Sequence, residues 1–323
     1  MPRQPAWSEC EAQVTEHPAT LTGVRASAAT RYCQHVRVPQ SIDELIALLD
    51  LEEIEDGLFR GRQPATSLQR VFGGQVLGQA LAAGARTVER DREVHSLHSY
   101  FLRPGDTSVP IVYDVERTRD GRSFSTRRVV ARQHGKPIFY MSASFQVPEE
   151  GLDHQDPMPA APPPEDCPEL GELLAALTNR PREQWDREWA ALEVRYGGDS
   201  REGGALHDPE HPARSRVWLR ASGNLPVTPW LHEAVLAYAS DLTLLSVTLV
   251  PHGLFIGDPR LQPASLDHAM WFHRPFRADE WLLYDQASPS ASGGRGLATG
   301  RLFTMDGRLV ASVVQEGLIR VSG

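Results

Sequence analysis

Two stretches of the chain are apolar almost without interruption, whereas much of the rest alternates between apolar and polar residues. Residues 73–87 (GGQVLGQALAAGART) and 231–248 (LHEAVLAYASDLTLLSVT) are Ala-rich and apolar on every side. That pattern predicts two helices buried all round rather than lying on a surface. Alternation at 109–117, 124–133, 137–147, 281–288, 296–304 and 308–320 predicts strands with one face buried. Asp120-Gly121 and Asp306-Gly307 supply hairpin signals. A shorter helix is predicted from Ser41: Ser41 caps it, Glu44 follows three residues later, and Ile42, Leu45, Ile46 and Leu49 form a stripe.

The two halves echo one another. Each apolar helix is followed by a strand ending in an aromatic pair and Arg-Pro, first at Tyr100-Phe101-Leu102-Arg103-Pro104 and then at Trp271-Phe272-His273-Arg274-Pro275. The blocks are offset by 171 residues, which points to duplication of one unit, since two copies are too few for a solenoid. One apolar helix followed by several hairpin-linked strands is α+β, with a curled antiparallel sheet covering the helix. Gly78, Ala80, Ala82, Ala83 and Gly84 let such a helix sit close to its neighbours. The expected organisation is an N-terminal extension over residues 1–40, poorly ordered by its weak periodicity, and a first unit over 41–148. A proline-rich linker and connecting segment over 149–190 precedes a second unit over 191–323. Pro148 to Pro168, with its triple proline, is expected to pack little.

Composition narrows the class. The 323 residues suit two domains, and 41% hydrophobic with 23% charged residues is globular composition. A net charge of −9 argues against nucleic acid as a partner. Cys10, Cys33 and Cys167 are odd in number and lack metal-ligand spacing, which suits a reducing compartment. The first 21 residues are polar, without a secretory pattern, and Ala234–Val250 is short for a span of about 20 residues. A buried core helix, no membrane insertion and a cytoplasmic location are expected.

Several catalytic patterns are absent: G-x-S-x-G, H-E-x-x-H and C-x-x-C do not occur. GGQVLGQA has P-loop glycine spacing but places Gln79 where Lys is needed and Ala80 where Ser or Thr is needed. Asp267 and His268, neighbours on a strand, point to opposite faces and do not make a dyad. His95 and His98 do not pair either and read as structural histidines. Asp241 is the one charge between Ala234 and Val250, so it marks a helix end, turns to solvent, or is a functional buried acid or base. Gln315 interrupts the apolar face formed by Leu309, Ala311, Val313 and Ile319, as a backbone-bonded amide or a functional group. Ser265 alone is an ordinary strand serine.

Seven blocks in order, LEEIEDGLFRG, RVFGGQVLGQAL, VHSLHSYFLRPGD, RDGRSFSTRRVVARQHGKPIFYMSASFQ, AYASDLTLL, LDHAMWFHRPF and VASVVQEGLIR, resemble the type II acyl-CoA thioesterases. The resemblance runs from about residue 42 to 320. It implies a double hotdog, two tandem copies of a helix wrapped by an antiparallel sheet. It also implies a functional trio: an Asp on the second hotdog helix, a Thr or Ser on the following strand, and a Gln near the C-terminus. These fall on Asp241, Ser265 and Gln315, with Ser265 where bacterial members usually carry Thr.

The implied reaction is hydrolysis of a fatty acyl-CoA to fatty acid and CoA, with Asp241 as general base on a water held by Ser265 and Gln315. No metal and no cofactor are needed, since CoA belongs to substrate and product. Helix-start amides at Gly73, Gly74 and Gln75 are candidates for polarising the carbonyl, and the glycines are equally read as tight packing. Arg122, Arg127, Arg128 and Arg295 are candidate CoA contacts, equally read as strand ends. Alternatives are a hotdog enoyl-CoA hydratase or dehydratase, for which no distinct motif is present, and a non-catalytic acyl-CoA-binding protein. Exposed strand edges favour a homo-oligomer, dimer or tetramer.

Overall fold

The computed structural model describes residues 39–66, 68–178, 181–206 and 210–322. The expected extension, with Cys10 and Cys33, lies outside the described residues but for Pro39 and Gln40. The first helix, α1 (Ile42–Leu49), starts as its sequence dictates. Ser41 Oγ accepts the Glu44 N–H, and the Glu44 carboxylate reaches back to the Gln40 N–H at 2.6 Å.

The first half then runs β1 (Glu52–Glu55), β2 (Leu58–Gly61), α2 (Gly73–Ala85), β3 (Glu93–Phe101), β4 (Ile111–Asp120), β5 (Phe124–Gln133) and β6 (Lys136–Gln146). Two helices follow, α3 (Leu170–Thr178) and α4 (Arg182–Trp189). The second half comprises β7 (Leu192–Asp199), β8 (Arg214–Ala221), α5 (Pro229–Ser240), β9 (Leu261–Ser265), β10 (Asp267–Phe272), β11 (Leu282–Ser292), β12 (Arg295–Thr304) and β13 (Leu309–Val321).

Twelve strands form one antiparallel path in the order β1-β2-β4-β5-β6-β3-β10-β13-β12-β11-β8-β7, and β9 pairs with β13 beside it. The halves join where β3 meets β10, from Asp267 opposite Tyr100 to Trp271 opposite Ser96. Each half wraps its central helix: Gly74–Gly84 of α2 and Leu231–Ser240 of α5 are buried without a break. This is the α+β double hotdog. The helices run antiparallel against each other, because a Cβ on Gly74 would meet the Tyr238 carbonyl and one on Gly78 the Ala234 carbonyl. The two glycines permit that approach.

Three features differ from expectation. The helix predicted over 231–248 breaks at Asp241, and a 3-10 helix resumes at Leu244–His252. The tightest hairpins are His134-Gly135 and Gly293-Gly294, two-residue turns with positive φ at both positions. Finally, the segment expected to pack little is exposed over residues 148–157 but packs at its C-terminal end. Trp218 Nε1 donates to the Pro162 carbonyl, and buried Cys167 sits among Trp218, Leu283 and Phe303. Prolines lack an N–H but keep a carbonyl, so a proline-rich strap can still accept hydrogen bonds from a sheet.

Candidate active site

The break in the second core helix decides where Asp241 sits. As the C-cap of α5 it points into a corner between the halves, with its side chain only 4% exposed. Strand β9 brings Ser265 beside Gly317 of β13, and Gln315 lies two residues away on the same face. Gln315 Nε2 donates to Asp241 Oδ1 at 2.6 Å and to Ser265 Oγ at 2.8 Å. Ser265 Oγ donates to Asp241 Oδ1 at 3.0 Å. The three residues therefore form a closed set, although the sequence separates them by up to 74 positions.

Their surroundings set the charge of Asp241. Burial raises its pKa to about 6, against the opposing bonds from Gln315, Ser265 and the Gly74 N–H. The carboxylate is thus poised to exchange a proton near neutrality. Ser265 Oγ has one proton, spent on Asp241, and keeps a lone pair besides the one facing Gln315.

Gln315 is different. It is fully buried and does not line the cavity that Asp241 and Ser265 reach; both amide protons serve its two neighbours, and its Oε1 is without a partner. In this arrangement its amide ties Asp241 to Ser265 behind the cavity wall.

Gly73, Gly74 and Gln75 also separate. The Gly74 N–H is taken by Asp241, and the Gln75 N–H turns back to the Phe72 carbonyl at 3.1 Å. The Gln75 side chain points away, to the Arg62 carbonyl and Gln63. Gly73 stays at the corner: a Cβ there would lie 2.5 Å from Asp241 Oδ2. Both glycines are required by close approach, Gly74 to the Tyr238 backbone and Gly73 to the carboxylate.

The cavity measures about 900 Å³ and is mainly apolar. Asp241, Ser265 and Gly73 line one wall, and Leu173, Leu174 and Trp185 of α3 and α4 line another. Among the described residues none of Arg122, Arg127, Arg128 and Arg295 lines it. Arg127 is fully buried, bonded to Thr87, Asp120 and backbone carbonyls. Arg295 pairs with Glu316 at 3.0 Å. The arginine on the cavity is Arg201, held by Asp199, and its sequence position carries no signal.

His268, rejected as a dyad partner of Asp267, is a neighbour of Asp241 instead. Asp267 does turn to the opposite face, where its carboxylate accepts the Glu316 N–H at 2.6 Å. His268 instead points inward, with Nδ1 3.9 Å from Asp241 Oδ1 and Nε2 bonded to Ser240 Oγ at 2.9 Å. Full burial lowers its pKa to about 3, so it stays neutral, and it does not line the cavity. The remaining motif residues are structural. Gln79, in the P-loop-like run, bonds the Leu48 carbonyl and Tyr113 OH, and His95 bonds Ser144.

Comparison with known proteins adds the chemistry. A family model described as acyl-CoA thioesterase matches residues 200–318, and one described as acyl-CoA thioesterase N-terminal domain matches 62–146. Acyl-CoA thioesterase 2 of Haemophilus influenzae is 41% identical over 286 residues, covering 87% of this chain and 98% of its own length. The chain belongs to the acyl-CoA thioesterase family. Within it the chain is of type II, the TesB-like kind, and is a thioester hydrolase. Human acyl-coenzyme A thioesterase 8 is 42% identical over 286 residues, covering 85% of this chain and 88% of its own. The crystal structure of an acyl-CoA thioesterase II, TesB2, from Mycobacterium marinum shares 48% identity at a TM-score of 0.72, covering 86% of this chain and 98% of that one. A hot dog fold protein from Alicyclobacillus acidocaldarius, 21% identical with a TM-score of 0.68, supports the fold alone.

Proposed function

We propose that this thioesterase hydrolyses fatty acyl-CoA to fatty acid and CoA, with Asp241 as general base and no covalent enzyme intermediate. One observation carries the reading: a buried carboxylate with a pKa of about 6 shares a cavity wall with a serine hydroxyl that retains a lone pair. A water between them gives one proton's hydrogen bond to Asp241 and the other to Ser265, leaving its own lone pair for the thioester carbon. Asp241 takes the first proton as the C–O bond forms. The C–S bond then breaks, and the CoA thiolate receives that proton as the acid is released. The thiolate, with an ordinary thiol pKa of about 8.5, leaves without metal assistance.

Gln315 positions Asp241 and Ser265, and the Gly73 N–H is the first-turn donor left for the carbonyl oxygen as charge develops on it. The reaction needs no cofactor. A cytoplasmic location and assembly through the edge of β1, which ends the sheet, belong to the same proposal.

The test is thiol release in a disulfide-exchange assay, run beside enoyl absorbance with an enoyl-CoA. Thiol release from the acyl-CoA, and from the enoyl-CoA in step with any loss of its absorbance, supports hydrolysis. Loss of enoyl absorbance without thiol release would make this a hydratase, and tight binding with neither change would make it a binding protein.

A further inference from the structure

The segment between the halves has no role in the chemistry above, yet its helices carry a feature that needs an explanation. In α3 the leucines fall at 170, 173, 174 and 177, the spacing of a single apolar face. Such a face normally closes onto a core. Here Leu170 joins the core and Leu173 and Leu174 pack partly against it, yet all four leucines also line the cavity, and Leu177 is 46% exposed. Trp185 and Trp189 of α4, one turn apart, line it too.

The two helices pack on each other. A Cβ on Gly171 would meet the Trp185 ring, so α3 and α4 are in direct contact. Arg182 at the start of α4 pairs with Glu169 and Glu172. Trp189 stands edge-on to Phe72 at 4.7 Å, and Phe72 immediately precedes Gly73 at the Asp241 corner. A leucine face opened to a cavity of about 900 Å³ is stable in water only at a cost proportional to its apolar area. The cavity is continuous with Asp241 and Ser265, so a thioester with its carbonyl there has its hydrocarbon tail beside this face.

We infer that α3 and α4 form the acyl-chain wall of the site, and that Leu174 and Trp185 set how long a chain the enzyme accepts. This rests on the thioesterase reading above. The occupant is the saturated tail of the substrate itself. Each methylene seated against the wall improves kcat/KM by up to about fourfold, the equivalent of fully burying one methylene, until the wall is full.

The experiment is a chain-length series from butanoyl- to palmitoyl-CoA with thiol release as the readout, on wild type, Leu174→Trp and Leu177→Ser. Leu174→Trp narrows the cavity along this wall: kcat/KM for palmitoyl-CoA falls at least tenfold relative to butanoyl-CoA, and the optimum moves to shorter chains. Leu177→Ser changes an exposed position that folding tolerates, and flattens the gain per methylene. Helices with a purely structural role would shift every chain length in parallel, and a parallel shift or an unchanged profile in both variants overturns the assignment. Absence of thiol release at every length in wild type would instead sink the thioesterase reading, so the two failures are distinct.

Discussion

Replacing Asp241 with Asn removes the proposed base while preserving its shape, and its consequences for activity and stability have opposite signs. The folded carboxyl titrates at about 6, against 3.8 for the ordinary side chain. At about 1.4 kcal/mol for each tenfold change in acidity, ionising it in the fold costs about 3 kcal/mol. Below pH 3.8 the group is protonated in folded and unfolded chains alike and costs nothing. Above pH 6 it is ionised in both, and the folded state bears the full cost, so this contribution lowers stability as pH rises from about 4 to 6. Asn carries no charge at any pH. Its carbonyl can still accept from Gln315 Nε2 and Ser265 Oγ, while its amide meets the Gly74 N–H, which returns part of the gain.

The expected result at pH 7.5 is a kcat at least about 100-fold lower, the usual scale of general-base assistance. Stability in urea should be equal to wild type or higher, by up to about 3 kcal/mol. Near pH 4 the stability difference should disappear. Thiol release at saturating acyl-CoA and urea unfolding at both pH values are the two measurements. A kcat within a few-fold of wild type would refute the base assignment. Inactivity together with a loss of more than about 1 kcal/mol at pH 7.5 would refute the burial argument, because the carboxylate would then be stabilising the fold.

Other expectations follow from the same geometry. The kcat of wild type should rise with pH through a midpoint near 6 and then level off; a midpoint below 5 in a stopped assay would contradict the desolvated carboxylate. Ser265→Ala should lower kcat by about 10- to 100-fold with KM little changed, since the hydroxyl orients the water rather than binding the acyl group. Gly74→Ala places a methyl 2.2 Å from the Tyr238 carbonyl oxygen, a backbone atom that cannot swing aside. It should cost about 1–3 kcal/mol in urea unfolding and also reduce kcat, because the Gly74 N–H moves with it.

Much of the fold was legible because its signals are local. The strand at 124–133 was predicted within its observed bounds, and the two all-round apolar helices are the two wrapped cores. The capping of α1 needed only Ser41 and Glu44. The leucines of α3 also stand at helical spacing, but they follow a proline-rich stretch whose composition reads as a linker. The trio is legible only through family resemblance. Its members each had a bland alternative that composition could not remove, and both descriptions of Asp241 hold: it ends a helix and it is buried.

What the sequence by itself determined is the repeating pattern: two apolar helices, the strands that cover them, and one carboxylate stranded in apolar company. Tertiary structure alone decided which atoms meet that carboxylate. Gly74 approaches it from the other half of the chain, Gln315 from 74 residues away, and His268 from a strand whose inward face was open to either reading. A desolvation cost sums over every element packed around a group, and hydrogen-bond roles depend on which protons are already spent. Neither quantity is a property of any short stretch of residues, so the pKa of Asp241, the retreat of Gln315 behind the cavity wall and the leucine face of α3 on that cavity all waited for the fold.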